Sequence, residues 1–204
     1  CMQSSTAFSG SALKMQHWLW SEGVKMVEIM LDLETMGKGP NAAITQIGAV
    51  VFDVEKRITL ERLQVYVDLE DSVRNGGELD ASTVIWWLQQ DADARNSFNY
   101  ATLSVNESLD LFTELVLRHE PAEDEGVPVW GNGASFDNVI LRRTYERAGK
   151  IAPWNFWQDR CYRTILKSLP GYPKVDFKGV KHLAVDDAMH QVRQLMAIQD
   201  WVEG

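Results

Sequence analysis

A chain of 204 residues, 45% hydrophobic and 24% charged, has room for one domain with an ordinary core, and its net charge of −9 excludes a surface coated in basic residues. No apolar run reaches the roughly 18 residues of a membrane span, and Cys1 and Cys161 make neither a disulfide framework nor a zinc spacing. The charge is uneven: from Arg142 to Lys181, ten Lys and Arg stand against three acids, a local +7 that leaves −16 for the rest. That asymmetry suits one face for a polyanion, and it suits a set of solvated helix faces equally well.

In chain order, "CMQSSTAFSGSALK" is polar and rich in small residues, and "MQHWLW" is too short for a signal-peptide core. Residues 1–24 read as a leader or extension, and residues 25–204 as a single functional domain beginning near Lys25 or Met26. "VEIMLDLET" predicts a strand, "MGKGPNA" a turn, "AITQIGAVVFDV" a buried strand, and "RITLERLQVYVDL" a third, joined as an antiparallel meander. "DSVRNGGELD" reads as a loop whose Asp80, or Ser82, caps the helix "STVIWWLQQ". A short helix, "DADARNSF", follows. "SVNESLDLFTELVLRHE" has helical spacing at Val105, Leu109, Phe112, Leu115 and Val116, and "PAEDEG" is an acidic loop. "VPVWGN" predicts a short buried strand, "SFDNVILRRTYERAG" a helix ending at Gly149, and "DRCYRTILKSL" another helix. After the loop "PGYPKVDFKG", the helix "AVDDAMHQVRQLMAIQDWV" closes the chain, with Val185, Ala188, Val192, Leu195, Met196 and Ile198 on one broad face. The order predicts an α/β domain on a mixed sheet.

The first strand carries a conflict. Asp32 and Glu34 are two positions apart, so both project to the same side, and two like charges beside a core are costly unless something positive sits between them. Alone, the pair also fits an edge strand with one wet face. Asp137, just after a buried strand, also reads as a helix-capping acid, as do Asp186 and Asp187. His182, five residues before Asp187, reads alone as a surface or packing histidine.

Together these segments follow one pattern. "DLET" with Asp32 and Glu34, "WGNGASFD" with Asp137, and "HLAVDD" with His182 and Asp187 resemble, in order, the three motifs of the DEDDh 3′→5′ exonucleases. "DLETMGKGPNAAITQIGAVVFD", "IWWLQQ" and "VWGNGASFDNVILRRTYERAG" are similar to a bacterial and phage group that includes the DexA-type DNA exonucleases and the RNase AS type. One departure is visible: many relatives have Asn four residues before the second-motif Asp, where this chain has Gly133, with Asn132 one residue earlier.

The resemblance implies an RNase H-like sheet, an antiparallel meander plus parallel strands with helices on both faces. It also implies two Mg²⁺ or Mn²⁺ ions as the missing positive partner, since hard oxygen ligands suit both. Asp32, Glu34, Asp137 and Asp187 would be the metal ligands and His182 the general base, acting on 3′ ends of single-stranded DNA, or of RNA in the RNase AS manner. The expected substrate contacts are Thr35, Met36, Asn132, Trp86 and Arg142, with Arg143, Arg160 and Arg163 as further phosphate candidates. Met36 reads equally as packing. Of Trp86 and Trp87, about 100° apart on a helix, at most one faces a groove, and both fit a core as well. Phe136 reads as packing that positions Asp137, and His190 as cap or surface. The expected setting is cytoplasmic, in a bacterial or phage context, without a membrane and with a homodimer open. "GKGPN" and "GNG" lack the spacing of a P-loop or a dinucleotide fingerprint, and Ser135 has no nucleophile elbow. A binding module without activity has no need for all five site residues.

Overall fold

In the computed structural model, strands β1 (Val27–Thr35), β2 (Ile44–Asp53), β3 (Ile58–Tyr66), β4 (Val129–Gly131) and β5 (Asp159–Cys161) form one sheet in the order β3-β2-β1-β4-β5. Residues 27–121 and 126–204 are described. The expected leader over 1–24, the domain start at Lys25 or Met26 and the middle of the "PAEDEG" loop lie outside the described residues. As expected, β1 to β3 are an antiparallel meander. Strand β4 then pairs parallel to β1, and β5 parallel to β4. Parallel neighbours need long crossovers, which the helices supply.

Among the described residues the α-helices are α1 (Leu69–Arg74), α2 (Ala81–Leu88), α3 (Ala92–Asn96), α4 (Val105–His119), α5 (Asp137–Arg147), α6 (Tyr162–Ser168) and α7 (Ala184–Glu203). They cover both faces of the sheet. Odd residues of β1 (Ile29, Leu31, Leu33) share a core with Leu109 and Phe112 of α4 and with Ile140 and Leu141 of α5. On the other face Met30, Val50, Phe52 and Trp130 pack with Tyr162 of α6 and with Ala188, Val192 and Leu195 of α7. Strand parity therefore puts Asp32 and Glu34 on the α7 face, where the apolar core stops. No described helix is long and apolar enough to cross a membrane.

Local chemistry starts the helices. Asp80 caps α2 by accepting the Ser82 and Thr83 N–H groups, and Ser104 with Glu107 forms a capping box on α4. Three expectations are corrected. "DSVR" is not loop: Asp68 accepts the Asp71 N–H at 2.8 Å and starts α1. "DRC" is not the first turn of a helix but the edge strand β5, paired with β4 through contacts its own residues do not announce. "DADARNSF" divides into α3 and a 3-10 turn, Ser97–Tyr100.

Candidate active site

The second half of β1 carries Asp32 and Glu34, and the chain brings three more groups to them. Asp137, the first residue of α5, is 3% exposed, and its Oδ1 accepts the Leu33 N–H at 3.2 Å. That approach depends on Gly131: a Cβ there would lie 2.3 Å from Asn138 Oδ1 and 3.2 Å from Asp137 Oδ2, so any larger residue would push α5 off β4. Asp187 lies in the first turn of α7, and its Oδ2 accepts the His182 N–H at 2.7 Å. His182 sits in the turn before α7 with φ 64°, and its Nδ1 is 3.7 Å from Glu34 Oε1. Glu34, His182 and Asp187 each offer a ligand atom, all within 4.8 Å of one another. On the other side, Gln191 donates from Nε2 to Asp32 Oδ1 at 2.7 Å.

These groups strain one another electrostatically. Burial, then the neighbouring charges of Asp137, Glu34 and Asp187, hold the Asp32 carboxyl well above the usual carboxylate range, although the Gln191 bond opposes them. Burial pushes Asp137 up to about 7 despite the bond from Leu33, and it also raises Glu34 and Asp187. The Glu34 carboxylate raises His182. Four carboxyl groups that resist ionisation together, beside an imidazole, are a donor set that hard divalent cations would relieve.

The expected substrate residues fare differently. Trp87 is core, packed with Met36, Ala43 and Ala94, and its indole Nε1 donates to Thr35 O at 3.0 Å. Trp86 is 40% exposed and meets the His182 ring edge-on, with ring centres 4.9 Å apart. Met36 and Thr35 are buried, and the Thr35 hydroxyl donates to Gly37 O at 2.8 Å, so both side chains are engaged in packing. Asn132 follows β4 directly, half-buried, with its carbonyl held by Arg163 Nη2 at 2.7 Å. The departure at Gly133 has a backbone reason: its φ is 110°, which an Asn side chain would strain.

Arg142 is held within the fold. It bonds both oxygens of Asp159, at 2.8 and 3.0 Å, and Trp154 O at 3.1 Å, and it lies 4.6 Å over the Trp154 ring. Its charge is spent on joining α5 to β5. Arg143 pairs with Glu146. Phe136 packs against the core beneath Asp137, as expected, and the His190 ring lies tilted against Phe177.

Sequence reading missed three glutamines. Leu183, the residue before α7, offers no capping side chain, so the first amides of that helix need partners from elsewhere. Gln46, 1% exposed on β2, accepts the Ala184 N–H at 3.2 Å while its Nε2 donates to His182 O at 3.3 Å and Ser97 Oγ at 2.9 Å. Gln64 on β3 donates to Gln46 Oε1 at 3.0 Å and accepts the Val185 N–H at 2.9 Å. A glutamine inside the mostly apolar "AITQIGAVVFDV" was the available signal. Gly48 completes the seat, since a Cβ there would fall 2.1 Å from the Ala184 carbonyl carbon. Gln46→Leu leaves the Ala184 N–H and His182 O unpaired, which costs about 1–3 kcal/mol. The expected result is a lower melting temperature and a fall in kcat with KM nearly unchanged, read by thermal melts and steady-state kinetics.

Residues 27–199 match the family described as the 3′-5′ exoribonuclease Rv2179c-like domain. The chain belongs to this Rv2179c-like family. A relative, the exodeoxyribonuclease of Enterobacteria phage T4, is 27% identical over 168 residues, 71% of this chain and 72% of its own. The fold is similar to the nuclease domain of 3′hExo, a DEDDh family member bound to rAMP, with TM-score 0.58 and 14% identity over 90% of this chain and 96% of that one. It is also similar to E. coli exonuclease I in complex with a dA16 oligonucleotide, with TM-score 0.61 and 12% identity over 86% of this chain but only 41% of the larger protein. The sheet is therefore RNase H-like, and this Rv2179c-like domain is a 3′-5′ exonuclease of the DEDDh type, a class that uses divalent metal ions.

Proposed function

We propose that this enzyme removes nucleotides from the 3′ ends of single-stranded nucleic acid, DNA in preference to RNA, releasing nucleoside 5′-monophosphates. The observation that carries the reading is the convergence of Asp32, Glu34, Asp137, His182 and Asp187, from distant segments, on one end of β1. Asp32, Glu34, Asp137 and Asp187 would hold two Mg²⁺ or Mn²⁺ ions. Bound there, such cations polarise the scissile phosphate and lower the pKa of the attacking water. His182, with Nδ1 turned toward Glu34, has Nε2 available to take the proton of that water. Its backbone N–H, bonded to Asp187, fixes the turn that aims the ring. Trp86, exposed beside His182, offers a face for the terminal base, and Asn132, whose backbone N–H bonds the Asp137 carboxylate, would be a contact on the β4 side.

The phage exodeoxyribonuclease relative supports DNA, whereas the family's description supports RNA as a second reading. The 2′-hydroxyl is sensed through few contacts, so a direct comparison separates them. The setting we propose is the cytoplasm of a bacterial or phage-infected cell. Self-association through α2 is compatible with its exposed Ile85 and Leu88.

The test is degradation of a 5′-labelled DNA strand and its RNA twin with Mg²⁺, Mn²⁺ or EDTA. Stepwise shortening from the 3′ end, faster on DNA and stopped by EDTA, is the expected result. Faster loss of the RNA would transfer the preference to the second reading, and no metal-dependent shortening of either strand would refute the activity.

A further inference from the structure

The cations between Arg142 and Lys181 do not share one fate. Arg142, Arg143 and Lys150 pair with Asp159, Glu146 and Asp110, whereas Arg160 and Arg163 form no ion pair among the described residues. Both are exposed. Arg160 donates only to the carbonyls of Trp157 and Asp159, at 3.2 and 3.3 Å, and Arg163 to Asn132 O at 2.7 Å. Carbonyl contacts orient a guanidinium without neutralising it, so Arg160 on the edge strand β5 and Arg163 in the first turn of α6 present two positive charges with no carboxylate in contact.

Immediately before this strand, Phe156 and Trp157 are 70% and 62% exposed, with rings edge-to-face at 5.0 Å. The turn that carries them is closed by its own bonds, Asn155 N–H to Gln158 Oε1 at 2.7 Å among them, so the rings project from an ordered base. Large exposed rings next to unpaired arginines are the pattern of a single-strand platform, in which bases stack and cations follow phosphates. Arg163, through Asn132, links this edge to the loop that leads to Asp137.

We infer that the β5 edge is the path of the nucleotides upstream of the 3′ end: Phe156 and Trp157 stack their bases, while Arg160 and Arg163 follow the backbone toward the carboxylates. The inference rests on the exonuclease reading above. It specifies a single-stranded phosphodiester chain, because stacking and phosphate contacts serve DNA and RNA alike, and it leaves the sugar preference to groups at the site itself.

The test compares a dinucleotide with a long oligonucleotide, as DNA and as RNA, for wild type, the double variant Phe156→Ala/Trp157→Ala, and Arg160→Gln. In the double variant the KM for long strands should rise about 5- to 100-fold, as expected when one or two bases no longer stack. Dinucleotide kinetics should stay at the wild-type level, which also reports that the variant is folded. In Arg160→Gln the slope of log affinity against log salt should flatten by about 0.7 for each phosphate that is no longer neutralised. Unchanged long-strand KM and salt slope would overturn the path. So would a variant that sediments as a smaller species with its long-strand KM intact, since that assigns the rings to a protein interface. Wild type inactive on both lengths would instead remove the exonuclease reading, and the path with it.

Discussion

Asp32→Asn is expected to lower exonuclease turnover by about three orders of magnitude and, near pH 8 without metal, to raise the melting temperature. The first effect follows from the proposed role. Metal ions at such sites supply several kcal/mol of transition-state charge stabilisation, and each 1.36 kcal/mol is a factor of about ten in rate. The second follows from the crowding of Asp32 by Asp137, Glu34 and Asp187 in a partly buried site. Asparagine keeps Oδ1 as acceptor for Gln191 and removes the charge that the neighbours oppose.

The pH dependence has a definite sign. A carboxyl whose pKa is higher in the folded state than its unfolded value of about 3.9 binds more protons folded than unfolded between those values, so stability falls as pH rises through that window. For Asp137 the window ends at about 7, and Asp32, Glu34 and Asp187 are raised in the same direction. Metal-free wild type should therefore melt higher near pH 5 than near pH 8. The stabilisation by Asp32→Asn should be present near pH 8 and shrink as the pH falls and the native carboxyl, held well above the usual carboxylate range, takes up its proton. Each kcal/mol of relief corresponds to about 2–4 °C in a domain of this size. Glu28, buried beside Trp130 and pushed up to about 7 by that burial, adds a slope of the same sign. Mg²⁺ should stabilise wild type more than Asp32→Asn and flatten only the part of the slope that belongs to the site. Calorimetry with EDTA and with Mg²⁺ at both pH values reads all of this. A variant less stable than wild type near pH 8 in EDTA would overturn the account.

The second large effect is at His182. His182→Ala should lower kcat about 10²- to 10⁴-fold with a much smaller change in KM, the usual range for removing a general acid or base. Because the base must be neutral to accept a proton, the wild-type rate profile should carry an acid limb that belongs to this imidazole, which Glu34 raises in the metal-free site. In the variant that limb should disappear. An unchanged limb in His182→Ala would assign it to a carboxyl and remove the histidine from proton transfer. Rates on a labelled oligonucleotide across pH, at saturating metal, make the comparison.

The residues of β1 alone determined that Asp32 and Glu34 share a side, because strand side chains alternate with period two whatever the strand packs against. Capping chemistry is equally local, so Asp80 as the start of α2 was legible, as were the long helices α4 and α7 from their apolar spacing. The ordered motifs pointed to the DEDDh exonucleases and to five residues that the fold brings together. Everything that depended on a distant partner was out of reach. "DRC" is a strand only because β4 lies beside it, and Arg142 joins Asp159 and Trp154 because α5 packs on β4, the neighbour of β5. Trp86 and Trp87, adjacent and chemically identical, are divided between cleft and core by the position of the Met36 cluster. Gln46, Gln64 and Gln191 hold the histidine turn and Asp32 through bonds across more than a hundred residues of chain. Periodicity and caps express interactions within a few residues, and hydrogen-bond satisfaction in a buried site is decided between segments. Hence the sequence could single out the acids and the histidine that converge, while only the packed structure showed what holds them in place.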